Sequence, residues 1–98
     1  MTIEKYLDGT ELTVKLIGRL TTSTVSRFES VLKESLSDIQ TLILDFAELE
    51  YMSSSGLRVL LKTQRTINKQ GKMVIRNMNQ VISEIFAVTG FENIFTVE

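Results

Sequence analysis

Thr41-Leu42-Ile43-Leu44-Asp45-Phe46 is a nearly unbroken run of apolar, strand-favouring residues, and it narrows the architectures open to this chain more than any other feature. A strand with one face in water alternates apolar and polar residues, whereas a run without alternation belongs to a central strand covered on both faces. The run therefore predicts a strand in mid-sheet. A chain of 98 residues, 43% of them hydrophobic, is too apolar for a disordered tail and the right size for one domain, spanning 1–98, around one core.

The segments around that strand follow in short order. Thr2 to Leu7 and Glu11 to Ile17 alternate in character across Asp8-Gly9-Thr10 and read as a β-hairpin. Thr21-Thr22-Ser23-Thr24 supplies several N-cap candidates, and Val25, Phe28, Leu32 and Leu36 recur at helical spacing, predicting a helix over about Ser23 to Leu36. After a loop over Glu48 to Met52, a second helix runs from about Ser54 to Gln70, with Leu57, Leu60, Leu61, Gln64 and Ile67 on one side. Gly71 is expected to stop it in the left-handed region. Met73 to Arg76 reads as a strand, Asn79 as the cap of a third helix carrying Val81, Ile82, Ile85 and Phe86, Gly90 as its end, and Ile94 to Val97 as a last short strand. The order ββαβαβαβ implies an α/β fold. Its sheet is mixed but mostly parallel, with crossover helices packed on it.

Composition removes most chemistry. There is no Cys and no His, so thiol nucleophiles, disulfides, imidazole acid–base catalysis and the usual zinc or haem ligands are absent, and no cofactor is implied. Eleven basic against twelve acidic residues leave a net charge of −1, with no global field for nucleic acid or anionic membrane. The apolar runs are too short to span a bilayer, and Met1 leads directly into a strand-like pattern with no signal segment, so a cytoplasmic location is expected.

What remains is Tyr51-Met52-Ser53-Ser54-Ser55-Gly56-Leu57-Arg58, three hydroxyls and a glycine where a buried strand gives way to a helix. Spacing alone favours an ordinary capping role, since a serine N-cap accepts a hydrogen bond from a free backbone N–H, and Gly56 lets the first turn approach its neighbours. The functional reading starts from position, because sites in open α/β sheets gather where loops leave the carboxyl ends of strands. Ser54 lacks a neighbouring base, so it is suited to be modified rather than to attack. Gly71-Lys72 lacks the rest of a P-loop, Asp45 lacks the acidic cluster of a receiver domain, and Met52, Met73 and Met78 read as core or rim.

Leu44-Asp45-Phe46, Leu49-Glu50-Tyr51-Met52 and Ser53-Ser54-Ser55-Gly56-Leu57 together resemble the anti-sigma factor antagonist branch of the STAS domains, whose motif is an apolar strand followed by Asp-Ser-Ser/Ala-Gly-Leu/Ile. Gly18-Arg19-Leu20, Val88-Thr89-Gly90-Phe91 and Ile94-Phe95 also match that family's landmarks, so the likeness covers nearly the whole chain. The resemblance implies that Ser54 is phosphorylated by a serine-kinase anti-sigma factor. It implies further that the bare form binds this kinase, that the phosphorylated form releases it, and that a metal-dependent serine phosphatase restores the cycle. It implies a regulatory domain, not an enzyme.

Two positions depart from the family pattern. Ser53 stands where the usual Asp precedes the phosphorylated serine, and Thr21 where an acid usually follows the Gly-x-Leu segment. The expected partner-binding surface comprises Thr21, Thr22, Ser53, Ser55, Gly56, Arg58 and Lys62. Arg58, Lys62, Arg65 and Lys69 form a one-signed stripe on the second helix, with no Asp or Glu between Ser54 and Gln70. A solvated face explains such a stripe; beside a docking loop it would also steer an acidic partner. The departures keep a second reading open, a non-phosphorylated STAS module that binds a nucleotide or lipid or serves as a scaffold subunit.

Overall fold

Asp8 and Glu11 pair across a two-residue turn in which Gly9 takes a left-handed φ of +61°, so strands β1 (Thr2–Asp8) and β2 (Glu11–Leu20) form the expected antiparallel hairpin. The computed structural model describes the backbone of residues 1–98 and every side chain except that of Glu92. From β2 onward every strand pairing is parallel: β3 (Thr41–Met52) on β2, β4 (Lys72–Arg76) on β3, and the two-residue β5 (Thr96–Val97) on β4. Helices α1 (Val25–Ser35), α2 (Ser54–Ile67) and α3 (Gln80–Thr89) make the crossovers. The element order is the ββαβαβαβ read from the sequence.

Strand order in the sheet equals chain order. Right-handed crossovers that all step the same way put every helix on one face. The core bears this out: Leu12, Val14 and Leu16 of β2, Leu42, Leu44 and Phe46 of β3, and Met73 and Ile75 of β4 share one buried cluster with Phe28, Leu32, Leu57, Leu60, Ile67, Ile82 and Phe86 from the helices. Residues of the opposite parity stay out of it.

The run from Thr41 to Phe46 is mid-sheet and buried on both sides, but by different kinds of cover. Ile43 and Val74, at 2% and 3% exposure, point away from the helices and outside the main core cluster. Two residues further along that bare face, Glu4, Lys15, Asp45 and Arg76 are successive register partners, and Arg76 Nε donates to Glu98 Oε1 at 2.8 Å. Alternating charge across the sheet thus takes the place of a second helical layer. Lys15 also meets Glu48 at 2.6 Å.

Asp45 anchors that row. Burial pushes its carboxyl pKa up, but hydrogen bonds from Asn77 Nδ2 and the Ala47 N–H, both at 3.0 Å, and the nearby Lys15 and Arg76 outweigh burial and hold it below the usual carboxylate range. A depressed folded-state pKa adds stability above the unfolded value and loses it as pH falls through the folded one. Asp45→Asn is therefore expected to lower stability at neutral pH by about 0.5–1 kcal/mol, with the gap closing in acid. Urea unfolding of both proteins at pH 7 and pH 3 checks it, and a gap independent of pH would contradict the charge account.

Several boundaries differ from the sequence reading, each for a physical reason. The expected loop over Glu48 to Met52 is strand: β3 runs on to Met52, bulging by one residue in each of two register shifts against β2. The bulges let Phe46, Leu49 and Met52, three residues apart, all face the core, a spacing that hides a strand from any search for period two. Helix α1 starts at Val25 rather than Ser23, because Thr21 to Thr24 form a turn in which the Thr24 and Val25 N–H groups both donate to the Thr21 carbonyl. Helix α2 ends at Ile67, not Gln70, and tightens through turns that include Lys69 N–H to Thr66 O. Gly71 is not left-handed. It is there because a Cβ would lie 1.7 Å from the Gln40 carbonyl oxygen.

Asn79 caps α3 as expected, its side chain accepting from the Ile82 N–H at 2.9 Å, and Gly90 ends it at φ +75°. The final strand is shorter than Ile94 to Val97, since a 3-10 turn at Phe91–Asn93 precedes it and Phe95 is buried with its ring centroid 5.6 Å from that of Phe86. Among the described residues, no helix is long and apolar enough to cross a membrane, and no group of three His, Cys, Asp or Glu side chains is placed to hold a metal ion.

Candidate functional site

The chain leaves β3 at Met52, whose side chain is buried, and begins α2 two residues later. Such an abrupt turn needs an anchor and a small residue. The Ser53 N–H supplies the anchor by donating to the Leu20 carbonyl at 2.8 Å, tying the turn to the end of β2. Gly56 supplies the space: it is buried, and a Cβ there would lie 2.8 Å from Leu20 Cδ2 and 2.9 Å from Met52 Cγ. Gly56 accordingly offers no surface of its own, and seats the first turn of α2 against the core.

Geometry separates the three serines. Ser53 is the N-cap, with extended backbone and its Oγ accepting from the Gly56 N–H at 3.4 Å. Its Oγ also shares a hydrogen bond with Ser55 Oγ at 2.8 Å, and both residues are half-buried. Ser54, between them, is exposed, and its Oγ takes no part in the loop's hydrogen bonds. It sits at the first position of a helix with no acid in its first turn, so the positive end of the helix dipole is uncompensated there.

The loop from β2 to α1 lies alongside, since Leu20 already holds Ser53. Its hydroxyls are engaged locally: Thr24 Oγ1 accepts from the Thr21 N–H at 2.8 Å and donates to the Arg19 carbonyl at 3.0 Å, and Thr21 Oγ1 meets Ser23 Oγ at 2.9 Å. Thr22 is exposed at the tip. The two loops present a neutral hydroxyl surface at the carboxyl ends of β2 and β3.

The basic stripe on α2 divides. Arg58 is exposed one turn beyond Ser54, Lys62 is drawn toward Glu29 of α1 with Nζ 3.4 Å from Oε2, and Lys69 falls past the end of the helix. The structure thus brings Thr21, Thr22, Ser53, Ser54, Ser55 and Arg58 to one end of the sheet. It sets Lys62 two turns away and Gly56 beneath.

Sequence reasoning missed one neighbour. The Arg19 guanidinium carbon lies 4.8 Å from the centre of the Tyr51 ring, on adjacent strands in register. Only the bulged pairing brings these two together, so strand periodicity carried no signal for it. Of the three serine hydroxyls, that of Ser54 is the exposed one and stands outside the hydrogen bonds that hold the loop.

Comparison with known proteins adds to this geometry. A family model described as the STAS domain matches residues 2–98. A protein of Bordetella bronchiseptica named as an anti-sigma factor antagonist, BtrV, is 38% identical over 56 residues. That segment covers 56% of this chain and 48% of BtrV, so the match spans about half of the relative's length. Among solved structures, an anti-sigma factor antagonist of Mycobacterium paratuberculosis superposes with a TM-score of 0.89 at 18% identity, over 98% of this chain and 83% of that one. The Bacillus cell fate determinant SpoIIAA in its phosphorylated form superposes at 0.77 and 18% identity, over 99% and 91%. Its unphosphorylated form also gives 0.77, at 17% identity over 99% and 87%.

Proposed function

Because the chain belongs to the STAS domain family, we propose that it is an anti-sigma factor antagonist whose docking on a serine-kinase anti-sigma factor is switched by phosphorylation of Ser54. The observation that carries this reading is the unequal state of three adjacent serines: Ser53 and Ser55 bond each other and hold the turn, and Ser54 alone stands exposed at the bare positive end of α2. The name of BtrV supports the class of protein, and the existence of a phosphorylated form of SpoIIAA supports the kind of switch.

The physics of the switch is local. A phosphate brings a charge of about −1.5 to −2 to a helix N-terminus, where the dipole and free N–H groups favour an anion by roughly 0.3–1 kcal/mol. Arg58, one turn along, extends the same favourable field. The helix survives, and the same superposition score for both forms of SpoIIAA on this chain fits a modification that leaves the fold alone. Docking does not survive, because burying an unmatched dianion in an interface costs several kcal/mol.

In this reading Thr21, Thr22, Ser54 and Arg58 meet the partner, Ser53, Ser55 and Gly56 hold the loop in shape, and Lys62 flanks the contact. A metal-dependent serine phosphatase removes the phosphate, and the cycle runs in the cytoplasm. With Ser53 and Thr21 in place of carboxylates, the kinase facing them needs no cationic pair at those two points. Incubation with the cognate kinase and ATP, followed by peptide mapping by mass spectrometry, is expected to place phosphate on Ser54 and to find none on Ser54→Ala. Equal labelling of that variant would remove Ser54 from its role. Micromolar nucleotide or lipid binding with no kinase recovered would instead support the non-phosphorylated module.

A further inference from the structure

Strand β1 is the outer strand of the sheet, with β2 on one side and an open edge on the other. The hairpin fixes which of its backbone groups are left over. Its two-residue turn closes on Asp8 and Glu11, which exchange both N–H to O=C bonds, and bonded pairs then alternate along an antiparallel ladder. Asp8, Tyr6, Glu4 and Thr2 therefore point their backbone groups at β2, and Leu7, Lys5 and Ile3 point theirs outward. Among the described residues, no loop or helix bonds to these outward N–H and C=O groups. Most of the usual guards of an open edge are missing. The chain has no proline, the β1 to β2 register runs through all 7 residues without a bulge, and Tyr6 and Leu7 stand 56% and 67% exposed. One guard is present, Lys5, and its Nζ is turned back onto Ser35 Oγ of α1 at 3.2 Å.

We propose that this edge pairs with the β1 edge of a second copy of the chain, antiparallel about a two-fold axis at Lys5, joining the two sheets into one. Outward groups can meet only outward groups, which restricts the register. Centring the pair on Glu4 sets that acid against itself, and centring it on Tyr6 sets Glu4 against Asp8; each engages only two of the three outward residues of β1. Centring on Lys5 engages all three and places Ile3 against the second copy's Leu7 twice over. It also sets Tyr6, whose hydroxyl already donates to Glu4 Oε1 at 3.0 Å, against the second copy's Glu4. The cost is Lys5 against Lys5, which the bond to Ser35 lessens by drawing each ammonium over its own α1, away from the axis. A contact between two strands covers less area than a stable dimer needs, so the association is weak and reversible. Because β2 runs oppositely in the two copies, their Ser54 loops lie at opposite ends of the joined sheet, and both stay open to partners. The inference uses the edge alone and stands whether or not Ser54 is the phosphoacceptor.

The test uses the full chain, which has no cysteine of its own. Sedimentation equilibrium over about 10 μM to 1 mM protein is expected to show monomer and dimer in exchange. Lys5→Thr, which removes the facing charges, is expected to tighten the dimer about tenfold, and Leu7→Lys to weaken it about tenfold with the melting temperature unchanged, since Leu7 is exposed. Facing residues of a bonded antiparallel pair have Cα atoms about 5.5 Å apart, within reach of a disulfide. Lys5→Cys is therefore expected to oxidise to a covalent dimer faster than Lys69→Cys, placed at an exposed position beyond α2. Exclusively monomeric protein at about 1 mM would overturn the proposal, as would equal oxidation of the two cysteine variants. So would a dimer that Leu7→Lys leaves intact and that Val88→Cys on α3 crosslinks in preference to Lys5→Cys.

Discussion

Gly71→Ala is expected to destabilise the domain by about 3 kcal/mol and to lower its melting temperature by about 15 °C. The new Cβ would lie 1.7 Å from the Gln40 carbonyl oxygen and 2.5 Å from its carbon, both backbone atoms. Backbone at this point cannot yield cheaply. The same carbonyl accepts from the Lys72 N–H at 2.9 Å, the Gln40 N–H donates to the Thr10 carbonyl at 2.9 Å, and Gln70 Nε2 reaches the carbonyls of Leu36 and Ile39. Relief of the clash would pull apart the junction at which β2, β3 and β4 begin their common register. Gly9→Ala is the control, because nothing lies within 4 Å of a Cβ there and only the left-handed backbone is strained. That strain costs about 1–2 kcal/mol. Thermal unfolding of the two variants checks the order, and a Gly71→Ala protein as stable as Gly9→Ala would contradict the steric argument.

Charge at position 54 is expected to have the second large effect, this time on binding. Under the proposed function, Ser54→Ala keeps full affinity for the kinase, because it leaves a small neutral surface in place. Ser54→Asp carries one negative charge closer to the backbone than a phosphate would be, and is expected to lose about tenfold, with phosphoserine near 100-fold, corresponding to about 1.4 and 3 kcal/mol. Neither substitution is expected to unfold the domain. Ser53 keeps the cap on Gly56, and a carboxylate near the N-terminus of α2 meets a favourable dipole. Calorimetric titration of both variants into the kinase reads the difference, and equal affinities would defeat the electrostatic explanation.

How much of this was legible beforehand varies along the chain. The element order, the hairpin, the central strand and both caps at α2 and α3 were readable, because each rests on local signals: alternation, an apolar run, and Ser or Asn before a helical period. The far half of β3 was not. Its core residues Phe46, Leu49 and Met52 repeat every three positions because two bulges intervene, and bulges are a property of the pairing with β2. Gly71 was recognised as a stop for the wrong reason, since close approach of Gln40, distant in sequence, leaves no trace in local composition.

The site shows the same division. Capping by Ser53 and close approach at Gly56 followed from residue type and spacing. The bond between Ser53 and Ser55, which sets Ser54 apart, required coordinates. So did the division of the basic stripe, where Lys62 turns to Glu29 and Lys69 falls off the helix. The absence of helices on one face is a consequence of strand order, which no residue pattern encodes.

Stoichiometrically phosphorylated and untreated protein, taken from one preparation, can be titrated against the cognate anti-sigma kinase and melted in parallel. The expected result is an affinity reduced about 100-fold, with the melting temperature of the free domain changed by no more than about 4–8 °C, the shift that 1 kcal/mol produces at this size. Undiminished binding by the phosphorylated form, or its loss only together with collapse of the fold, would contradict the account.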